Sequence, residues 1–179
     1  MFTYGDYILR KPIDEDAQGF YRISHDQAVN LYYGCVGTDF KDMDEARRQV
    51  AWCREQFMHN AGRYIIATKA GNGYIGDIGF SDYSEAHHRA EIGYRLASDY
   101  WGKGIISHFI GRIVEWGFDT LRYNRIEALV DVRNEGSKRV LLKNGFTLEG
   151  ILRQYEYEHG GYVDLEMYSL LRDEYKKTP

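Results

Sequence analysis

The chain contains few prolines, which interrupt helices and strands, and few cysteines, which can form disulfide bonds. Its 179 residues include two prolines, Pro12 and Pro179, and two cysteines, Cys35 and Cys53. Because there is no serine- or glycine-rich run either, no linker is predicted, and residues 1–179 are interpreted as one domain able to bury a sizeable core. The cysteines lie far apart without metal-type spacing, so we expect both to be reduced thiols with no role in the site.

An excess of positive charge and a long apolar run are also missing. The formal net charge of -4 argues against a nucleic-acid surface and suits a cationic substrate. The N-terminus lacks the basic segment and apolar core of a secretion signal, and no stretch approaches the roughly 18 apolar residues that a membrane span needs. We therefore expect a cytoplasmic protein that binds neither nucleic acid nor membrane.

Several common site motifs are absent. The chain has no G-x-x-x-x-G-K-[ST] for a nucleoside triphosphate and no G-x-S-x-G elbow of a serine hydrolase. A dinucleotide motif fails because Ser107 stands where the third glycine is needed. His87 and His88 lie in a segment expected to be extended, which would point them to opposite faces, with no further ligand at zinc spacing. No metal site is predicted.

What the chain does have is a segment suited to binding an anion, residues 89–118. An alternating stretch, residues 89–96, leads to Gly102, Lys103 and Gly104 and then to a helix with periodic apolar residues. The first N–H groups of a helix lack partners inside the helix, and glycines let the backbone approach a phosphate closely. Lys103 adds a cation. A phosphorylated cofactor is the first hypothesis, and the alternative is that the glycines only shape a tight turn.

The same segment is similar to a known cofactor motif. Residues 99–104, DYWGKG, resemble the Q/R-x-x-G-x-G/A motif of the GNAT acetyltransferases. Residues 134–146, NEGSKRVLLKNGF, resemble the N-x-x-S helix and terminal G-F of the branch that acetylates the N-termini of ribosomal proteins. Residues 148–153 and 164–175 are similar to the same branch. These matches cover nearly the whole chain in order, so the chain is identified as a member of the superfamily and resembles that branch.

The chain departs from the superfamily pattern at two positions. Asp99 stands where the motif usually carries Gln or Arg, so the phosphate site would depend on backbone groups and Lys103. Leu141 stands where many members have a tyrosine that can protonate the leaving thiolate. The acid must therefore come from another group or from water.

The resemblance implies an α/β fold with a single mixed, mostly antiparallel sheet of about seven strands, flanking helices and one parallel pair of strands that splay apart. Sequence periodicity agrees with this fold. Strands are predicted at residues 7–10, 64–68, 74–80, 90–96, 125–132, 147–156 and 163–171. Helices are predicted to begin at residues 14–16, to span residues 42–57, and to follow Gly104 and Asn134.

The resemblance also implies acetyl-CoA as the cofactor, released as CoA, with its pantetheine arm lying between the splayed strands. Backbone groups of residues 94–96 would pair with the pantetheine amides, and residues 102–105 would hold the pyrophosphate. The candidate cofactor-binding residues are Tyr94, Arg95, Leu96, Trp101, Gly102, Lys103, Gly104, Ile105, Asn134 and Ser137.

Transfer of an acetyl group to an amine needs a neutral amine, a polarised carbonyl and a proton for the thiolate. Glu91 resembles the carboxylate that other members use as a base, and its alternative is a solvated charge on a strand. Ser137 matches the serine proposed as the acid in the ribosomal branch, and its alternative is a helix-start serine that satisfies backbone groups. Asn134 either contacts the cofactor or only caps its helix.

The acceptor is expected to be a primary amine. An α-amine loses its proton more easily than a lysine amine, by about 3 kcal/mol at the same pH, so a protein or peptide N-terminus is favoured. A small amine such as a polyamine, an amino acid or an aminoglycoside is the alternative, and a module that binds acetyl-CoA without turnover is another.

Four tyrosines could line an acceptor groove or be ordinary strand residues, namely Tyr32, Tyr33, Tyr155 and Tyr157. His159 is expected in an exposed turn, and the oligomeric state, a homodimer included, stays open.

Overall fold

The computed structural model describes residues 2–32, 40–59 and 61–175. The described strands are β1 (Phe2–Tyr4), β2 (Tyr7–Arg10), β3 (Gly62–Thr68), β4 (Tyr74–Ser84), β5 (Arg89–Leu96), β6 (Arg125–Asp131), β7 (Thr147–Glu158) and β8 (Gly161–Leu171). The helices are α1 (Asp16–Ser24), α2 (Gln27–Asn30), α3 (Met43–Gln56), α4 (Ile105–Glu115) and α5 (Glu135–Lys143). A 3-10 turn (Ser98–Tyr100) precedes α4, and a π-helical turn (Trp116–Thr120) extends it.

All eight described strands form one sheet in the order β1-β2-β3-β4-β5-β6-β8-β7. Every neighbouring pair is antiparallel except β5 and β6, which run parallel. The mixed, mostly antiparallel sheet with one parallel pair is therefore confirmed. The described residues form eight strands where about seven were expected, because the three residues of β1 pair with β2 in a hairpin. A three-residue, exposed strand shows too little alternation to be recognised from sequence.

Local sequence signals explain where the elements begin and end. Asp42 accepts a hydrogen bond from the Glu45 N–H at 2.9 Å, which caps α3 as its sequence suggests. The hairpin between β3 and β4 turns at Gly71 (φ +80°) and Asn72 (φ +56°), as their sequence predicts. Gly145 takes φ +85° just after α5. The four-residue helix α2 was not predicted, since one turn leaves no periodicity to detect.

The core lies on both faces of the sheet. Alternate residues of β3 show why: Ile66 packs with the apolar side of α4, while Ile65 and Ala67 pack with α1 and α3. Leu141 places α5 on the same face as α4. The helix α4 crosses from the end of β5 to the start of β6, and this connection is what makes the two strands parallel.

Three expectations about single residues can be compared with the fold. His87 and His88 lie in a turn, with φ +47° at His88, so the extended segment expected there was wrong. Cys53 is a free, fully buried thiol, and burial raises its pKa to about 12. Cys35 lies outside the described residues.

The described residues contain neither a metal-binding cluster nor a membrane-spanning helix. No group of three or more His, Cys, Asp or Glu side chains is placed to hold a metal ion. No described helix is long and apolar enough to span a membrane.

Candidate active site

The central feature of the site is a gap between the two parallel strands. β5 and β6 pair at Arg89 with Arg125, at Ala90 with Ile126 and at Glu91 with Glu127, and the pairing stops there. β5 nevertheless continues to Leu96, and β6 continues to Asp131 alongside β8. The strands therefore separate after Glu91 in a V, and the edge of β5 beyond Glu91 has no strand partner. Unpaired backbone groups of this kind suit the amides of a pantetheine arm.

The predicted anion cradle lies beyond the end of β5. Gly102 and Gly104 both have φ +72°, a left-handed conformation that residues with a Cβ rarely adopt. Gly104 is the N-cap of α4, and no side chain caps that helix. The first N–H groups of α4 are thus left for an anion, and a Cβ on Gly102 would have no protein atom within 4 Å. This loop fits the pyrophosphate of a CoA ligand.

A cleft of about 990 Å³ joins the V to the cradle. It is lined by nearly all the sequence-predicted site residues, namely Glu91, Tyr94, Arg95, Leu96, Trp101, Gly102, Gly104, Ile105, Asn134 and Ser137. Lys103 does not line it: its Nζ donates to the Asp99 carbonyl at 2.9 Å and lies 4.8 Å from the centre of the Tyr100 ring. In this geometry the cradle depends on backbone groups.

Two predicted residues are already engaged within the protein. The Arg95 guanidinium donates to the buried Asp77 carboxylate at 2.7 Å, so Arg95 offers its backbone rather than its charge to a ligand. Asn134 caps α5, since its Oδ1 accepts a hydrogen bond from the Ser137 N–H at 3.0 Å. Asn134 also borders the cleft, and a contact with the cofactor stays a prediction.

Ser137 has a partner that sequence reasoning missed. The hydroxyls of Ser137 on α5 and Tyr94 on β5 are 2.7 Å apart, so they form a hydrogen bond across the V. Burial raises the pKa of Tyr94 well above its ordinary value despite that hydrogen bond, which keeps the phenol protonated. Leu141, at the position where many family members have tyrosine, is fully buried in the core. The two hydroxyls are therefore the candidate proton donors in this part of the cleft.

Glu91 stands at the point where the strands part. Burial, followed by the neighbouring carboxylates of Asp82, Glu156 and Glu127, raises its pKa to about 7, and Arg63 opposes this only in part. Glu127 is itself engaged, since Arg89 and Arg125 donate to it at 2.7 and 2.6 Å. A carboxylate with a pKa near neutrality can accept a proton in the physiological range, which is the property required of a general base.

The cleft has charges of opposite sign that were not predicted. Asp82, Glu156 and Glu158 line it together with Glu91, and Arg139 and Lys143, one turn apart on α5, line it as well. The basic pair suits the phosphates of CoA, and the carboxylates suit a cationic acceptor. The alternation of Tyr155, Glu156, Tyr157 and Glu158 is a signal that could have identified the two glutamates as the inward side of β7.

The tyrosines considered as candidates for an acceptor groove differ in whether they line the cleft. Tyr32 borders the cleft, whereas Tyr155 and Tyr157 are exposed and do not line it. Tyr33 lies outside the described residues. His159 is exposed at the β7–β8 turn as expected, and its Nε2 is 3.2 Å from the Asn30 carbonyl oxygen.

Comparison with known proteins identifies the family. The model of the acetyltransferase (GNAT) domain matches residues 6–147, which is well over half of the chain. The chain belongs to the GNAT acetyltransferases. It is 35% identical over 166 residues to the uncharacterized N-acetyltransferase YoaA of Bacillus subtilis, covering 92% of this chain and 93% of the relative. It is 34% identical over 99 residues to the ribosomal-protein-serine acetyltransferase of Escherichia coli, covering 55% of each chain.

A solved structure agrees with the fold. The spermidine N-acetyltransferase of Vibrio cholerae, in complex with CoA and spermine, has a TM-score of 0.81 at 20% identity and covers 94% of this chain and 97% of its own. At that identity the likeness is one of fold. With the family established, this chain is an N-acetyltransferase with acetyl-CoA as its cosubstrate.

Proposed function

We propose that this acetyltransferase transfers the acetyl group of acetyl-CoA to the α-amine at the N-terminus of a protein or peptide. The observation that carries the proposal is Glu91, a carboxylate at the apex of the V whose pKa is raised to about 7 by burial and by neighbouring carboxylates. Its proton affinity suits an α-ammonium better than a side-chain ammonium.

The difference in free energy between the two acceptors is large. An α-ammonium has a pKa near 8, so passing its proton to a base of pKa about 7 costs about 1.4 kcal/mol. A lysine-type ammonium has a pKa near 10.4, so the same transfer costs about 4.6 kcal/mol. The gap of about 3 kcal/mol comes from the pKa values of the two amines and would be the same for any base, and it corresponds to more than a hundredfold in the fraction of reactive amine.

The proposed reaction is a direct attack within a ternary complex. Glu91 takes the proton of the ammonium, directly or through a water, and the nitrogen attacks the thioester carbonyl. The new N–C bond forms as the C–S bond breaks, and the departing thiolate takes a proton from the Tyr94–Ser137 hydroxyl pair. The nitrogen loses its second proton as the amide forms, and that proton, passed on through water, restores the hydroxyl pair. Backbone groups of residues 92–96 and the cradle at residues 102–105 would hold the cofactor in place for this step.

One relative supports this acceptor class. The ribosomal-protein-serine acetyltransferase of Escherichia coli aligns with 55% of the chain at 34% identity. Similarity to this relative over about half of the chain supports the acceptor class only by analogy, because proteins with one fold often differ in the acceptor that they bind. The acid–base argument from Glu91 is independent of it.

A small cationic amine is the second candidate. The carboxylates of Asp82, Glu156 and Glu158, which line the cleft together with Glu91, favour an acceptor with more than one positive charge. A polyamine has that property, although its amines are harder to deprotonate.

Thiol release from acetyl-CoA tests the proposal. The protein is challenged in parallel with peptides that have a free N-terminus, the same peptides with a blocked N-terminus, diamines, amino acids and aminoglycosides. Turnover that requires the free N-terminus is expected. Rapid turnover of diamines with none of any peptide would overturn the proposal in favour of the second candidate.

A further inference from the structure

Glu158 is a buried carboxylate with an unsatisfied oxygen. It is 6% exposed, and among the described residues its Oε2 is the buried side-chain oxygen or nitrogen that has no hydrogen-bond partner. A charged group in this position is costly unless it is paired, because it has lost its water. The nearby cation, Arg133, is committed to Asp131, to which its Nε donates at 2.9 Å.

Glu156 adds a second carboxylate next to the first. Burial raises the pKa of Glu156, and its hydrogen bond with the Glu158 carboxyl group raises it further, so the two side chains lie side by side. Both side chains line the same cleft as Glu91. The cleft therefore contains two neighbouring carboxylates beside the candidate base Glu91, and the Oε2 of Glu158 is open to a donor.

An irregularity in β7 lies just before the pair. Leu152 pairs with Leu165 and Glu156 pairs with Val163. A step of four residues along β7 therefore matches a step of two along β8, which makes a bulge in β7. Gln154 within this bulge has φ +52°, and its N–H donates to the Asp164 carboxylate at 2.7 Å. A non-glycine residue in this conformation carries strain, and such bulges recur beside active sites, where they redirect side chains.

We propose that Glu156 and Glu158 form a subsite for a second positive charge on the acceptor, distinct from the amine that is acetylated. An ammonium or guanidinium group would lie between the two carboxyl groups and donate a hydrogen bond to the unsatisfied Oε2 of Glu158. This inference rests on the proposed function in one respect, that Glu91 receives the proton of the reacting amine.

The substrate class follows from this subsite. For a peptide, the second charge is a Lys or Arg side chain close behind the N-terminal residue; for a small substrate, it is the second amine of a diamine. Glu158 also borders a second cavity of about 650 Å³ between α2 and the β7–β8 turn. The rest of a peptide has room to continue there past the subsite.

The test is a peptide series that differs at one position. Peptides identical except for Lys, norleucine or Glu at the second residue are compared by kcat/KM with the wild-type protein and with Glu158→Gln and Glu156→Gln. Glu55→Gln, which changes an exposed carboxylate on α3, is the matched control. Circular dichroism and acetyl-CoA binding check that each variant is folded.

For the wild-type protein and Glu55→Gln, we expect kcat/KM for the Lys peptide to exceed that for the norleucine peptide by about tenfold or more. Glu158→Gln should reduce this ratio to below about threefold, mainly through KM for the peptide. Glu156→Gln should also reduce it. Equal values for the Lys and norleucine peptides in the wild-type protein would overturn the subsite even if no variant folded.

A diamine and its matched monoamine separate this inference from the proposed function. If peptides are inert but the diamine is preferred and Glu158→Gln removes the preference, the subsite stands and the peptide acceptor is refuted. If peptides react without any preference for Lys, the acceptor class stands and the subsite is refuted.

Discussion

Glu91 is the residue on which the chemical argument depends. It stands where β5 and β6 separate, and burial together with Asp82 and Glu156 holds its pKa near 7. A carboxylate at its ordinary pKa would be a poor base for any ammonium, because its conjugate acid is too strong. The acidic surroundings thus make Glu91 a better base as well as attracting a cation.

The pH dependence of kcat/KM tests this role. Because the pKa of Glu91 is raised, the basic form is present above about pH 7 and is lost as the pH falls below it. We expect the wild-type rate to fall about tenfold per unit on the acid side. Glu91→Gln should lower kcat/KM by about 10²-fold or more and replace this limb by one near pH 8, which is set by the amine itself. An unchanged acid limb in the variant would show that another group is the base.

The Tyr94–Ser137 pair makes a second prediction at this scale. Ser137→Ala and Tyr94→Phe should each lower kcat, by about 10²-fold for the residue that donates the proton, with the affinity for acetyl-CoA nearly unchanged. Because the hydroxyls are hydrogen-bonded, the double variant should lose little more than the worse single variant. Fully additive losses in single-turnover kinetics would show that the two hydroxyls act independently.

Among the secondary-structure elements, the turn that precedes α4 is the one on which the proposed phosphate site depends. Gly102 and Gly104 hold left-handed conformations that leave the start of the helix open. A substitution at either glycine would strain the backbone as well as disturb the proposed phosphate site. The two effects can be distinguished only with a control glycine that has the same backbone conformation but lies far from the cleft. Gly71 provides that control, since it has φ +80° at a hairpin tip with no atom near its missing Cβ.

Gly104→Val should abolish measurable binding of acetyl-CoA, because a branched side chain would stand at the cradle. Both Gly104→Val and Gly71→Val should lose about 1–2 kcal/mol of stability from the strained φ. Only Gly71→Val should retain the acetyl-CoA affinity, measured by calorimetry at a temperature where both are folded. Normal affinity in Gly104→Val would refute the phosphate assignment.

Turns that depend on a few neighbouring residues were predictable from the sequence. Bulges that depend on how two strands pair were not. The glycine turn before α4 and the Gly71 hairpin follow from residues that permit positive φ. The bulges that contain Asp82 and Gln154 depend on how two strands register, so neither residue was identified as near the site. The same holds for Arg95, whose partner Asp77 lies 18 residues away.

At the scale of the molecule, a buried ion cluster connects the strands that carry the site. Asp77 on β4 is fully buried and accepts hydrogen bonds from Arg63 on β3 at 2.8 Å, from Arg95 on β5 at 2.7 Å and from Tyr74. Burial alone would raise the pKa of Asp77, but Arg95 and Arg63 outweigh it and lower the pKa to about 2. The cluster therefore fixes three neighbouring strands, including the one that bears Glu91.

Asp77→Asn should be strongly destabilising, by about 3–5 kcal/mol, because two buried guanidinium groups lose a carboxylate. Since the folded-state pKa is lowered, the stabilisation is present above about pH 4 and is lost as the pH falls toward 2. Asp44→Asn, in an exposed pair with Arg47, should change stability by less than about 1 kcal/mol. Equal denaturation midpoints for the two variants in urea would contradict this account.

Side chains of both charges line the cleft, basic ones that suit the phosphates of a cofactor and acidic ones that suit a cationic acceptor. Arg139 and Lys143 lie on α5, while Glu91 and Glu158 come from the strands. The net charge of -4 suggested a cationic substrate, but charges of both signs occur throughout the chain. Which of these charges meet in the cleft is decided by the fold, so composition could not reveal it.

The position of the acetyl group on a peptide with two amines tests the central claim most directly. A peptide with a free α-amine and a lysine at its second residue is incubated with acetyl-CoA near pH 7.5, and fragment masses locate the product. We predict acetylation of the α-nitrogen and no turnover when the N-terminus is blocked. Acetylation of the lysine nitrogen, or equal turnover of the blocked peptide, would contradict the assignment of an α-amine acceptor.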